Sequence, residues 1–377
     1  MDLSQLEKIL SKEPGFRLKQ IKQALFCDLI ENWNEATTLP EALRKALNEK
    51  CPLEIKSENF VSQDGATIKA LITLKDGLKI EAVLMRHTLR QVQGKKTARN
   101  TVCVSSQVGC PMGCLFCATG KMGFKRNLDK WEIVEQVLFW ARYLKKYPIS
   151  HSEAVGRGIS RECGADIKSE IPRFVRNDKR LGAGTSRVSS IVFMGMGEPF
   201  LNYDDVLGAI RILNDKEGFN LGSRHFSVST CGITEGIKKL SQEKLEINLA
   251  ISLHAPNDEL RAKIMPINKK YPITQILKAV DEYIKATRRR VMFEYIIIKD
   301  VNDSESNALE LAKLMSKPLY FVNLISYNPT GGYVAAPGAR VKKLKSILEK
   351  NKVAVTERFR FGQDIKAACG QLAGAPK

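Results

Sequence analysis

Six short runs rich in β-branched residues, separated by stretches with helical periodicity, dominate the chain from residue 101 onward. The runs are VCVSS, SSIVFMG, HFSVST, INLAISL, VMFEYIII and YFVNLIS. Between them, segments such as WEIVEQVLFWARYL and DDVLGAIRIL place apolar residues three and four positions apart. This alternation is typical of βα units around a parallel sheet, so it predicts an α/β fold with a full or partial (β/α) barrel. Catalytic residues of such barrels follow the carboxyl ends of the strands.

The part of the chain before the barrel shows two different patterns. Residues 1–56 place leucine and isoleucine at helical spacing, which predicts a helical domain. Over residues 67–85 the pattern changes to alternation on both sides of Asp76-Gly77, which predicts a small β-hairpin. Glu81 lies on its second strand, on a face that it shares with apolar neighbours.

These patterns divide the chain into four expected regions. They are a helical accessory domain over 1–56, a β-hairpin with a basic linker (RQVQGKKTARN) over 57–95, the barrel over 96–362 and a C-terminal loop over 363–377. Residues 148–187 are rich in Gly, Ser and Arg and are too long for an ordinary βα loop, so we interpret them as an insertion.

Composition narrows the class of protein and of partner. With 44% hydrophobic and 27% charged residues, the chain is an ordinary globular protein and neither disordered nor fibrous. A net charge of +19 favours a polyanionic partner, with nucleic acid ahead of membrane headgroups. The chain has neither a membrane-spanning apolar run nor a secretory signal, so we expect a cytoplasmic protein without a membrane partner.

The strongest chemical signal is a cluster of cysteines directly after the first barrel strand. Cys110, Cys114 and Cys117 form a C-x3-C-x2-C pattern. Three thiolates suit a four-iron cluster that keeps one iron open, whereas a structural zinc site normally closes with a fourth ligand. The alternative is therefore a zinc site completed by Cys103.

Several further motifs agree with this interpretation. In order and spacing, CVSSQVGCPMGCLFCATG, VFMGMGEPFLN, VSTCG, SLHAPND, ISYNP and DIKAACGQLAG resemble the radical S-adenosylmethionine (SAM) superfamily and, within it, the RlmN family of dual-specificity RNA adenine-C2 methyltransferases. The resemblance implies a partial (β/α)6 radical SAM barrel, a [4Fe-4S] cluster on Cys110, Cys114 and Cys117, and two SAM molecules per turnover. It also implies methylation of C2 of an adenine in 23S rRNA and in tRNA.

A set of residues at the barrel rim corresponds to the SAM-binding positions of that family. From the residues alone, glycines let a backbone approach a ligand closely, and a glutamate accepts hydrogen bonds from an ammonium group. Each polar residue, taken singly, could equally satisfy backbone groups at a strand end. The resemblance assigns SAM contacts to Gly197, Glu198, Ser229, Ser252, Leu253, His254 and Asn328.

The resemblance also assigns three catalytic roles. Cys369 would carry the methyl group as S-methylcysteine, and Cys103 would resolve the protein–RNA crosslink by forming a transient disulfide with it. Glu81 would accept the C2 proton, which its apolar strand neighbours would favour. Without the resemblance, Cys369 would be interpreted as an ordinary cysteine near the C-terminus, and Glu81 would be interpreted as a solvated strand carboxylate.

The resemblance also implies a redox partner, and two alternative functions stay open. The family requires an electron donor such as flavodoxin or ferredoxin, and we expect a monomer. The nearer alternative is the sister activity of Cfr, which methylates adenine C8 with the same cysteines. The more distant one is a nucleic-acid-binding protein with a structural metal. Basic residues around Arg126 and Arg289 are candidate phosphate contacts.

Overall fold

A computed structural model of the chain describes residues 3–92, 95–148, 187–358 and 362–374. The predicted insertion therefore lies outside the described residues except at its two ends. Within the described ranges, no helix has both the length and the apolar character needed to cross a membrane.

The amino-terminal region is helical, as predicted. It contains three α-helices, a π-helical turn at Gln23–Asp28 and a short 3-10 helix at Trp33–Glu35. The α-helices are α1 (Leu6–Leu10), α2 (Gly15–Lys22) and α3 (Glu41–Lys50). Trp33 is fully buried, and its indole N–H donates to the Cys51 carbonyl at 2.7 Å. Because Cys51 caps α3, this buried aromatic residue ties the 3-10 helix to the end of α3.

The first four strands are antiparallel and begin a single ten-stranded sheet. They are β1 (Lys56–Val61), β2 (Thr67–Thr73), β3 (Lys79–Val92) and β4 (Lys95–Cys103). The expected basic linker is instead formed by the ends of β3 and β4, which pair with each other. An antiparallel ribbon tolerates water on its faces, so a polar sequence does not exclude strands. The hairpin is therefore continuous with the barrel.

The parallel part of the sheet continues from β4 and confirms the six predicted strands. Two short strands, β5 (Gln107–Gly109) and β6 (Phe124–Asn127), follow β4 in the chain but lie outside this sheet. The strands that join the sheet after β4 are β7 (Ser190–Phe193), β8 (Phe226–Thr230), β9 (Asn248–Ser252), β10 (Val291–Ile297), β11 (Tyr320–Ser326) and β12 (Val355–Glu357). From β4 to β11 they follow one another in chain order, as in a (β/α) barrel. The short strand β12 extends the sheet beyond β11 and was not predicted.

Helices connect these strands and bury their apolar faces against the sheet. They are α5 (Lys130–Lys146), α6 (Tyr203–Asn214), α7 (Thr234–Ser241), α8 (Asp258–Ile264), α9 (Ile273–Thr287), α10 (Glu305–Leu314) and α11 (Gly338–Lys350). Between β4 and α5 lie a two-stranded sheet of β5 (Gln107–Gly109) and β6 (Phe124–Asn127) and the short helix α4 (Ala118–Lys121). The cysteine cluster lies in the loop between β5 and α4.

Candidate active site

The loop that carries the three cysteines is held by its own main chain. Cys110 directly follows β5, and its N–H donates to the Gly123 carbonyl at 2.9 Å. Gly109 has φ +76°, and a Cβ there would lie 1.9 Å from the Gly123 oxygen. Only glycine fits such a position. Cys117 is the N-terminal cap of α4, so the loop closes directly onto a helix.

The cysteine set fits a cluster of several irons. Burial raises the pKa of Cys110 to about 12 and also raises that of Cys114, so these ligands become thiolates only when a metal binds them. Three thiolates suit a four-iron cubane that keeps one iron open, whereas a structural zinc site normally closes with a fourth ligand. Cys103, the expected fourth zinc ligand, lines a different cavity with Cys369.

Glu198 lies in the loop after β7 and is buried. The N–H groups of Phe200 and Cys231 donate to its two carboxylate oxygens at 3.0 and 2.8 Å. Burial nevertheless raises the pKa of Glu198, because desolvation outweighs these hydrogen bonds. Side-chain hydrogen bonds from Thr230 and Cys231 also favour the charged carboxylate, which is the form that accepts from an ammonium group.

Packing within the protein requires a glycine at position 197. It has φ +105°, and a Cβ there would lie 2.6 Å from the Gln107 Cβ. The glycine thus permits close packing of this loop against β5. Gln107 also accepts a hydrogen bond from the Glu198 N–H at 2.8 Å, so the same contact orients Glu198.

The ends of β8 and β9 bring two of the predicted serines together. The hydroxyl oxygens of Ser229 and Ser252 lie 3.4 Å apart. Leu253 follows Ser252, but its side chain is buried and its N–H donates to the Glu294 carbonyl. The two hydroxyls are therefore the polar groups that this part of the rim presents.

His254 is a buried neutral histidine in the left-handed region, with φ +60°. Burial lowers its pKa to about 3. Because its Nδ1 accepts from the Ile296 N–H at 3.1 Å, the ring proton resides on Nε2. The ring also contacts Phe116 edge to face, with centroids 4.9 Å apart. Phe116 lies between Cys114 and Cys117, so His254 supports the cysteine loop.

Arg261 on α8 is fully buried, and no sequence pattern assigns it a role. Its guanidinium donates to the carbonyl oxygens of Cys231, Ser252, Leu253 and Tyr271 and to the Asn268 side chain. It therefore ties together the ends of β8 and β9. Burial raises the pKa of the Cys114 thiol, and the Arg261 charge offsets part of that effect. A single arginine in a helical segment carries no sequence signal of this role.

Cys103 and Cys369 line one small cavity of about 40 Å³, together with Arg358, Met194 and Leu372. Burial raises the pKa of Cys103 to about 12, and the neighbouring Arg358 guanidinium acts in the opposite direction. The structure has no disulfide between them. The cavity holds about one water molecule by volume, so a purine enters only when the surrounding residues move apart.

The C-terminal loop, residues 362–374, closes this cavity. Its main chain binds side chains of other elements: Asn328 Nδ2 donates to the Cys369 carbonyl at 3.2 Å, and Thr119 Oγ1 donates to the Leu372 carbonyl at 2.6 Å. The Ala118 N–H donates to the Gly370 carbonyl at 2.7 Å. The loop thus rests on α4, beside the cysteine cluster. Asn328, one of the predicted SAM contacts, therefore lies against this loop.

Glu81 lies on β3, beneath the same loop. It is buried, but Lys69 on β2 places its ammonium 2.8 Å from Oε1. The Ala373 N–H donates to Oε2 at 2.7 Å. A charged neighbour thus joins the apolar strand neighbours that the sequence predicts, because Lys69 is diagonal to Glu81 across the β2–β3 ladder.

Two of the candidate phosphate contacts already form ion pairs or hydrogen bonds within the protein. Arg126 forms ion pairs with Asp76 and Glu132, and Arg289 donates to Asn248. Lys125, which follows the exposed Phe124, is itself exposed.

Comparisons with known proteins agree with this geometry. The model of the radical SAM superfamily matches residues 168–312. A relative from Dictyoglomus thermophilum, named probable dual-specificity RNA methyltransferase RlmN, is 40% identical over 98% of this chain and 94% of its own length. A relative from Nitrosopumilus maritimus, named ribosomal RNA large subunit methyltransferase N, is 40% identical over 95% and 92%.

The chain belongs to the RlmN family. A solved structure, that of a radical SAM methyltransferase from Sphaerobacter thermophilus, covers 100% of this chain and 98% of its own, with 38% identity and a TM-score of 0.82. The protein is therefore a methyltransferase of the radical SAM superfamily, whose members use SAM and a [4Fe-4S] cluster. Cys110, Cys114 and Cys117 are the residues whose chemistry fits that cluster.

Proposed function

We propose that this methyltransferase modifies C2 of an adenine in 23S rRNA and in tRNA, by a ping-pong mechanism through methylated Cys369. The observation that carries the proposal is the shared cavity of Cys103 and Cys369, which adjoins the cysteine cluster through α4. The net charge of +19 supports an RNA substrate, and the relatives are named for RNA methylation.

The residues of the rim hold the cofactors in this proposal. Cys110, Cys114 and Cys117 bind the cluster, and Glu198 accepts hydrogen bonds from the SAM ammonium group. Ser229, Ser252 and His254 line the same rim; Gly197 and Leu253 contribute main chain, and Asn328 binds SAM once the loop releases it. When bound, the cluster and two SAM molecules per turnover supply a methyl group and a radical that abstracts hydrogen.

The cavity residues perform the transfer. Adenine C2 is an electron-poor carbon, so it does not attack a methyl group directly. The Cys369 sulfur would accept the methyl group. After the radical removes one hydrogen from that methyl, its carbon would bond to C2, the Glu81 carboxylate would accept the C2 proton, and the unpaired electron would pass to the bound cluster. The Cys103 thiolate would then attack the Cys369 sulfur; the bond from that sulfur to the methylene carbon would break with its electron pair on the carbon, which takes up a proton and becomes the new methyl group, and a Cys103–Cys369 disulfide would remain. The nearby Arg358 charge favours that thiolate.

Nucleoside mass spectrometry tests this proposal. The protein is reconstituted anaerobically with iron and sulfide and then incubated with SAM, dithionite and unmodified rRNA or tRNA. We expect 2-methyladenosine with wild type and none with Cys369→Ala, although the variant still cleaves SAM. An 8-methyladenosine product would instead identify the Cfr-type activity. Cluster formation and SAM cleavage without any methyladenosine would contradict the proposed substrate.

The resolving role has its own test. Cys103→Ala should accumulate a covalent protein–RNA adduct through Cys369, because no second thiolate breaks the crosslink. Denaturing electrophoresis with labelled RNA detects the adduct, and the double variant Cys103→Ala/Cys369→Ala is the matched control. Loss of activity without an adduct would remove Cys103 from this role.

A further inference from the structure

The Glu81 carboxylate is held by two contacts of different kinds. Lys69 contacts Oε1 from β2, a strand paired on both sides in the sheet. Ala373 contacts Oε2 from the C-terminal loop, four residues after Cys369. The cavity must widen before a purine can enter, and the loop forms one of its walls. When the loop moves, the Lys69 contact is the one that stays with Glu81.

Stability alone does not account for this ion pair. The Lys69 and Glu81 side chains are only 8% and 2% exposed. Burying two charges carries a desolvation penalty, and an apolar pair of similar volume is often equally stable or more stable. Lys69 also lies 5.2 Å from the centre of the Phe60 ring on β1, which stabilises its positive charge from a second direction. The site is thus built to keep a cation beside Glu81.

We propose that Lys69 is a positioning residue for Glu81, an inference that rests on the function proposed above. Its ammonium pairs with the buried carboxylate and fixes Oε1, so that Oε2 turns to the adenine when Ala373 withdraws. In the proton transfer the C2–H bond breaks, its electron pair stays in the ring, and an O–H bond forms on Glu81. Lys69 remains protonated throughout, because an ammonium group has no lone pair to accept a proton.

The kinetic test separates positioning from a merely structural role. Lys69→Met, Lys69→Arg and Glu81→Gln are compared in single turnovers for 5'-deoxyadenosine, covalent adduct and 2-methyladenosine. In Lys69→Met we expect normal 5'-deoxyadenosine and adduct but at least tenfold slower product formation. Lys69→Arg should recover part of the rate because it keeps a cation. Adding Lys69→Met to Glu81→Gln should cause no further loss.

Infrared spectroscopy provides a readout that does not require catalysis. A buried carboxylate that loses its cation takes up a proton. Lys69→Met should therefore gain a protonated-carboxyl stretching band at pH 7 that is absent from wild type and from the double variant with Glu81→Gln. Lys317→Met is the matched control, because Lys317 pairs with Asp281 at 2.6 Å on the exposed surface. It should leave the spectrum and the kinetics unchanged.

Two results would overturn the inference while leaving the proposed function intact. One is a parallel fall in 5'-deoxyadenosine, adduct and product in Lys69→Met together with no recovery in Lys69→Arg. The other is the absence of a new carboxyl band in a folded Lys69→Met protein, as judged by circular dichroism. If wild type itself makes no methyladenosine, the proposed function fails and this inference fails with it.

Discussion

The cysteine-cluster loop and the C-terminal loop meet at α4, yet they differ in the groups that hold them. Main-chain hydrogen bonds fix the cluster loop, from Cys110 to Gly123 and from Leu115 to Ile264 at 3.0 Å. The C-terminal loop shares a main-chain bond with α4, from the Ala118 N–H to the Gly370 carbonyl, and is otherwise held through side chains such as Thr119 and Asn328. A side-chain contact is lost by a change of rotamer, whereas a main-chain contact is lost only when the backbone moves. We therefore expect the C-terminal loop to open more readily than the cluster loop.

Removal of a cluster ligand should have the largest effect on this comparison. Cys114→Ser should abolish the iron–sulfur absorbance and all SAM cleavage, because the remaining two thiolates do not hold a cubane. Ultraviolet–visible spectra after anaerobic reconstitution measure this. Cys27→Ser, which changes an exposed cysteine of the helical domain, serves as the control. A cluster of normal absorbance in Cys114→Ser would refute the assigned ligand set.

Acid should have an intermediate effect, which is a loss of unfolding free energy through His254, the residue that supports the cysteine-cluster loop. The pKa of His254 is lowered to about 3 in the folded protein, from 6.5, so its contribution to stability is full above pH 6.5 and falls as the pH drops below it. Lowering the pH from 7 to 5 should cost about 2 kcal/mol of unfolding free energy through this residue. Urea denaturation of wild type and His254→Asn at both pH values measures the difference. An equal pH dependence in the two proteins would contradict the buried neutral histidine.

Loosening the C-terminal loop should have the smallest effect. Thr119→Val removes the hydroxyl that donates to Leu372, which is worth about 1 kcal/mol, or roughly a fivefold change in an opening equilibrium. Amide hydrogen exchange over residues 366–374 should therefore accelerate about fivefold, whereas exchange at Cys110 and Leu115 should not change. Equal acceleration in both loops would show that they move as one unit.

The barrel was predictable from the sequence because the signals for it are local. Alternation of strand-like and helical runs specifies six parallel strands, and their chain order determines which polar residues meet at the rim. The cysteine spacing likewise predicts the chemistry of the cluster. The linker was misjudged because polarity excludes a buried strand but not a solvated ribbon. β12 was missed because a three-residue strand lacks a recognisable period.

Only the tertiary structure determined which side chains contact one another. Arg261 and Arg358 look like ordinary surface arginines in the sequence, and their roles depend on contacts with residues far along the chain. Lys69 is the intermediate case, because the turn at Asp76-Gly77 and the hairpin register place it diagonal to Glu81. Burial of Glu81, and with it the need for a partner charge, depends in part on the C-terminal loop, whose Ala373 N–H contacts the carboxylate. The sequence by itself therefore determined the fold, the family and the ligand types, whereas long-range packing decided which charges are paired, because desolvation depends on the whole fold.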